Sequence, residues 1–360
     1  MKKYSFYHVA FLIPSITIGI LAIYSYQALA KSVRTGEFVT AMAVDPFNDK
    51  ELYVGTKKGD VFKSDDGGET WTPINNGLKK KEILSIAVDP NNKKTIYCST
   101  GCGAFKSVNG GVSWHVISGC GISDKEISAI VVDPTDASTF YAIARNCVWV
   151  MALFGNEAGE HRTASSMCDG LVRSDDKGKT CSFIGDFSDA GLKLECIAVD
   201  PTKRNTLYAG TRRGLYKSTD KGESFPSYDR RLDNSHITSI AIDPRDNRKI
   251  YATTTEGIFK STDEGDNWSG ITNNLPSTEV VSLVVDPIEP PKLYAGTRLG
   301  AFSSKDGGRT WQTVQGDLGR LAIKSLVIDL KKNALYAVTA DGALKSTEDG
   351  ELRAGIVWHH

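Results

Sequence analysis

Three observations predict an all-β fold: a seven-bladed β-propeller of four-stranded antiparallel blades. The first is a "VDP"-like stretch whose aspartate recurs as Asp45, Asp89, Asp133, Asp200, Asp243, Asp286 and Asp329. Its spacings are 44, 44, 67, 43, 43 and 43 residues, and such a period is the length of one propeller blade. The second is an eight-residue box, Ser-x-Asp-x-Gly-x-Thr-Trp, which follows each "VDP". The third is the residue four before each aspartate, which is small every time: Ala41, Ser85, Ala129, Cys196, Ser239, Ser282 and Ser325. Innermost strands converge on a ring axis, where only small side chains fit.

Each unit divides into four strands. In the fifth, "ITSIAI" leads into "DP", then "KIYATT", "GIFKS", the turn "TDEGDN" and "WSGI". Short runs of Ile, Val, Tyr and Phe bounded by Gly, Pro, Asp and Asn are strand and turn chemistry, and no helical period is present. The first strand is nearly all apolar, as expected where neighbouring blades cover both faces of a sheet.

The box reads "SDDGGETW" (64–71), "SVNGGVSW" (107–114), "SDDKGKTC" (174–181), "STDKGESF" (218–225), "STDEGDNW" (261–268), "SKDGGRTW" (304–311) and "STEDGEL" (346–352). Its acidic position is Asp66, Asn109, Asp176, Asp220, Asp263, Asp306 and Glu348. A catalytic acid or metal ligand does not tolerate the loss of charge at Asn109. A turn does: Asp or Asn accepts backbone N–H bonds two residues on, and Gly supplies positive φ. A calcium loop needs more oxygen ligands than one carboxylate and one hydroxyl. The boxes are read as structural turns, with Trp71, Trp114, Trp268 and Trp311 as apolar anchors. No metal site and no cofactor are expected.

The ends and the insert depart from the repeat. Residues 1–30 combine Lys2 and Lys3, the apolar run "VAFLIPSITIGILAIY" and "ALA" at 28–30, with no acid before Glu37. This reads as a secretory signal peptide, the alternative being an uncleaved membrane anchor. The propeller then occupies 31–360, secreted or periplasmic, or held outside the cytoplasm by the anchor. From "VDP" aspartate to box serine is 17–19 residues in six units but 41 in the third. The excess is an insert at about 144–169, carrying Trp149, read either as a hairpin packed on a neighbouring blade or as a ligand lid.

Lys plus Arg equals Asp plus Glu at 43 each, so no basic excess points to nucleic acid. In an up-and-down blade the 1–2 and 3–4 turns share one face, and the 2–3 and 4–1 loops share the other. The boxes fall on the first face. The other face carries Lys57, Lys58, Arg212, Arg213 and Arg298, with Arg230, Arg231, His236 and Arg320 nearby and fewer acids, including Glu256 and Asp341. Such a face attracts acidic groups, or is a solvated surface whose charges point apart. Lys57, Lys58, Trp149, Arg212, Arg213 and Arg298 are the candidate ligand-binding residues.

The seven cysteines suit an exported chain with disulfides. Cys147 and Cys168 bracket the insert, and Cys102 and Cys120 belong to loops of one face, so these are the candidate pairs. Cys196 stands at a small core position, where an inert thiol is expected. No spacing resembles a zinc or haem motif.

The box with upstream "LYAGT" and "VDP" resembles the Asp-box, or BNR, repeat, over essentially the whole of 31–360. Similar repeats occur in sialidases, xyloglucanase-type glycoside hydrolases, the luminal domain of sortilin and photosystem II assembly factors. The resemblance implies that the boxes lie on the rim, away from any active site. A sialidase implies an Arg-Ile-Pro stretch near its first blade, and none is present. A xyloglucanase-type enzyme implies two propellers, whereas these repeats form one. The expected function is a non-enzymatic binding or scaffold module for a protein, peptide or glycan, acidic in character, acting through the face opposite the boxes. The alternative is a glycoside hydrolase. No nucleic acid is expected as partner, and a membrane only through the N-terminal segment if it is retained.

Overall fold

The computed structural model describes residues 38–346, apart from 49, 152–163, 188–191, 227–231, 287–291, 330–333 and 341. The signal-peptide reading, Glu348, Arg230, Arg231 and Asp341 therefore lie outside the described residues. Seven antiparallel sheets follow one another along the chain, each built from consecutive strands in the order first, second, third, fourth from the inside out. Blades 4 and 7 show three strands among the described residues, and the others show four. The chain is a seven-bladed β-propeller. Among the described residues no helix is long and apolar enough to cross a membrane.

Burial explains the repeat. The second strand is fully buried along its length in "LYVGT" (Leu52–Thr56), "IYCST" (Ile96–Thr100), "LYAGT" (Leu207–Thr211) and "IYATT" (Ile250–Thr254). Both of its faces meet protein, which is why it does not alternate apolar with polar. Apolar clusters bridge successive blades around the ring. Tyr53 and Val61 pack with Ile83 and Phe105 between blades 1 and 2, and Tyr294 and Ala301 with Leu326 and Leu335 between blades 6 and 7. The ring closes the same way, with Val39, Val54 and Phe62 of blade 1 against Val338 and Ala343 of blade 7.

Every innermost strand carries a bulge. In blade 1, Val39 pairs with Thr56 and Ala41 with Gly55, leaving Thr40 as an extra residue. The same shift isolates Leu84, Ser128, Glu195, Thr238, Val281 and Lys324 in the other blades. A bulge bends its strand and re-aims one side chain. Thr40 and Thr238 use theirs as inter-blade ties, donating Oγ1–H to the carbonyls of Ile83 (2.5 Å) and Val280 (2.7 Å). The small residue after the bulge has a packing reason as well. It stands opposite Gly55, Gly210 or Gly296, where a Cβ would strike Ile83, Ile237 or Ile323 of the next blade.

The boxes are hydrogen-bonded turns. Ser64 Oγ donates to Asp66 Oδ1 (2.7 Å) and accepts the Gly68 N–H (2.8 Å), while Thr70 N–H donates to Asp66 Oδ1 (2.9 Å). Asn109 keeps the pattern, accepting from Ser107 Oγ (2.9 Å) and Ser113 N–H (3.0 Å) through its amide oxygen. These bonds hold the Asp66, Asp176, Asp220 and Asp306 carboxyls down at about 2. Gly67 and Gly68, at φ +80° and +98°, adopt a backbone that L side chains rarely enter.

A second repeated pair links blades. The second-strand Tyr stands opposite a third-strand cation: Tyr97 and Lys106, Tyr141 and Arg173, Tyr208 and Lys217, Tyr336 and Lys345. The lysine ammoniums lie 5.4–5.6 Å from the ring centroids, a cation–π distance. Each cation then donates to a box carbonyl of the following blade: Lys106 to Lys177 (3.0 Å), Arg173 to Lys221 (2.9 Å), Lys217 to Glu264 (3.0 Å) and Lys345 to Gly67 (3.5 Å).

The cysteine expectation needs one correction. Cys120 is bonded to Cys181, and Cys102 is a free thiol. Sharing a loop face suggests Cys102 for Cys120. The fourth strand is only two residues long, however (His115–Val116), so the segment after it stays beside the next blade's box. Cys181 occupies the Trp position of that box. In the insert, the second and third strands of blade 3 lengthen to Phe140–Met151 and Ala164–Ser174, and their register sets Cys147 opposite Cys168.

Candidate functional site

The face opposite the boxes is assembled by backbone bonds between 2–3 and 4–1 loops. Lys57 N–H donates to Phe38 O (2.8 Å), Arg212 N–H to Lys193 O (3.0 Å) and Asn234 N–H to Arg213 O (3.0 Å). These ties fix where the basic side chains emerge. Lys57 and Lys58 are exposed on blade 1, Arg212 and Arg213 on blade 4, and Arg298 on blade 6. The ring thus spreads them over three sectors. Arg298 keeps its own partner, with Nε 3.4 Å from Glu279 Oε2. Trp149 falls within the insert hairpin, and its side chain lies outside the described residues.

One sector is organised. The bulge of blade 4 re-aims Glu195, and its carboxylate gathers groups from three blades. Arg212 Nε of the same blade donates to Oε1 at 2.8 Å, and an Arg145 terminal nitrogen from blade 3 donates to Oε2 at 3.1 Å. His236 Nε2 at the entry to blade 5 stands 3.9 Å from Oε1. The Arg145 and Glu195 side chains are 12% and 19% exposed, against 53% for Arg212, so the cluster is rooted inside and open at Arg212. Burial by itself would raise the Glu195 carboxyl. The bond from Arg212, the charge and bond of Arg145 and the charge of Lys193 outweigh burial, and the carboxyl is held below the ordinary glutamate range.

Sequence reasoning missed Arg145 and Glu195. Arg145 is the first residue past the regular second strand of blade 3, and Glu195 reads as one more inner-strand residue. A signal was present: the residue before the small position is charged in only two of seven units, Glu195 and Lys324. Next to Glu195, burial and that carboxylate push the Cys196 thiol up to about 12, so it stays protonated and unreactive.

Comparison with known proteins fits this geometry. The BNR/Asp-box repeat model matches residues 62–73. The chain carries the Asp-box repeat. A model described as sortilin, neurotensin receptor 3 matches residues 213–354. No curated protein matches the chain. Among solved structures, an ancestral GH74 enzyme is 20% identical at a TM-score of 0.69, covering 86% of this chain and 44% of its own. The GH74 xyloglucanase from Xanthomonas campestris is 19% identical at 0.68, covering 89% and 54%. The chain therefore spans about half the length of these enzymes. YCF48 bound to D1 peptide is 14% identical at 0.64, covering 88% of this chain and 96% of that one. At these identities the likeness is one of fold.

Proposed function

We propose that the protein is a non-enzymatic propeller outside the cytoplasm that binds an acidic peptide segment of a protein partner on the face opposite the boxes. The observation that carries this reading is the Arg145–Glu195–Arg212 bridge. An internal carboxylate already holds two guanidiniums, one on each oxygen, the first largely enclosed and the second open to solvent. Arginine's planar donors are pre-organised for a carboxylate, and Arg212 with exposed Arg213 presents the donors left over. The peptide bound to YCF48 and the sortilin model support a protein ligand. The Cys120–Cys181 bond supports an oxidising compartment.

The GH74 likeness raises a second reading, a glycoside hydrolase. That chemistry asks one carboxyl to be raised so that it can act as an acid. Glu195 is shifted the opposite way, which disfavours it in that role. The test is titration of an acidic peptide library against wild type, Arg212→Ala and Arg212→Ala/Arg213→Ala. Loss of at least tenfold in affinity with an unchanged melting temperature is expected. Equal affinity in all three removes this sector, and robust release of reducing sugar from xyloglucan establishes the hydrolase.

A further inference from the structure

Blade 1 carries a second basic surface of different character. Its 2–3 loop exposes Lys57 and Lys58, and the 4–1 loop leaving it exposes Lys79, Lys80 and Lys81. The two loops are in backbone contact: a Cβ on Gly59, at φ +89°, would collide with the main chain of Lys81. Only glycine lets the loops approach this closely, so the five lysines form one surface. The carboxylates within it are subdued. Asp60 is half-buried and accepts Asn75 Nδ2 at 2.7 Å, and Glu82 is half-buried.

An aromatic ring sits in the same place. The Phe38 carbonyl accepts the Lys57 N–H, its side chain is 46% exposed, and the ammonium of the bulge residue Lys324 lies 5.7 Å from the ring centroid. The exposed phenylalanine thus adjoins the lysine surface through Lys57 and carries a sixth lysine, Lys324, over its ring. The chain also enters the propeller here, since the apolar run 9–24 ends fourteen residues before Phe38.

We propose that this lysine rim docks the propeller on the surface of a bilayer containing anionic lipid. Lysine is a hydrated point charge on a flexible stem, suited to a diffuse field of headgroups, whereas the ordered arginines of blades 3 and 4 suit a carboxylate of fixed geometry. A juxtamembrane lysine cluster responds to the negative surface of a leaflet, and an exposed aromatic at its centre suits the headgroup level.

The test uses the chain from Lys31, which keeps every blade and omits the apolar run's own affinity for lipid. It is sedimented with phosphatidylcholine vesicles, with and without about one third phosphatidylglycerol, at low and high salt. Binding is expected with the anionic vesicles alone and is expected to fade at high salt. Each lysine is worth about fivefold, so reversing Lys79, Lys80 and Lys81 to Glu should abolish binding within the measurable range. Arg212→Ala/Arg213→Ala, in the other sector, should leave it within twofold. Equal binding to neutral vesicles, no binding, or binding unmoved by the reversal would overturn the proposal. So would capture of poly-L-glutamate without capture of vesicles, which would assign the rim to an acidic protein. A failure here leaves the peptide reading of the arginine cluster intact.

Discussion

Cys120 and Cys181 are joined across the seam between blades 2 and 3, at the two positions that Gly77 and Trp114 occupy across the seam between blades 1 and 2. At the earlier seam Trp114 donates its indole N–H to Ile74 O (2.6 Å) and packs over blade 1. Where the third box has lost its Trp, a covalent bond spans the same gap.

Breaking that bond should therefore cost stability. Cys181→Ser is expected to lose about 2–4 kcal/mol in denaturant unfolding, the usual worth of a long-loop disulfide. Restoring the repeat's own arrangement, with Cys120→Gly and Cys181→Trp together, should recover much of it under reducing conditions. A double variant no better than Cys120→Ser/Cys181→Ser would show that the seam cannot accept the indole.

Glu195 should make stability depend on pH with a definite sign. Its folded carboxyl lies below the ordinary value of 4.5, so the contribution is full above that value and is lost as pH falls through the lowered one. Glu195→Gln should destabilise the wild type most at pH 6–7, by roughly 1–3 kcal/mol, because Arg145 loses its partner. The gap between the two proteins should close as pH drops below the ordinary value. A constant gap from pH 7 to pH 3 would separate the effect from the charge.

The box predicts a contrast between two substitutions. Asp66→Asn should be mild, because Asn109 makes the equivalent bonds in blade 2. Asp66→Ala removes the acceptor for Ser64 and Thr70 and should cost about 1–2 kcal/mol, as loss of a helix cap does. Equal thermal shifts for the two variants would mean that the turn is held by its glycines alone.

Gly308 offers a test of packing between a box and its neighbour. Its φ is +94°, and a Cβ there would drive into Ile271 of blade 5. Gly308→Ala should destabilise by about 1–3 kcal/mol, and adding Ile271→Val should recover part of it. Strict additivity in a double-mutant cycle would rule out the contact.

Most of the architecture could be read from residues because it is local and repeated. A box signals its own turn through Ser, Asp and Gly within five positions, and the small inner-strand residue signals the axis seven times over. What escaped is what joins one copy to another. Cys181 reaches Cys120 because the fourth strand is so short, and strand length at a blade edge is not encoded in apolar pattern. Arg145 meets Glu195 because a bulge turns a side chain that a regular strand would have aimed elsewhere. The loop-face lysines and arginines were visible as charge, but their division into a diffuse rim and an ordered bridge depends on contacts between blades.

The four cation-to-carbonyl links all run one way, from a blade to its successor, which gives the ring a direction. Blade 6 has Ser303 where its fellows have Lys or Arg, and in blade 7 the Trp position of the box is Arg353. In sequence, the junction of blades 6 and 7 thus departs from the repeat at both the third-strand cation and the box indole. Breathing of the closed ring, and the first entry of solvent or protease, is expected at that junction, far from the disulfide that rivets blades 2 and 3.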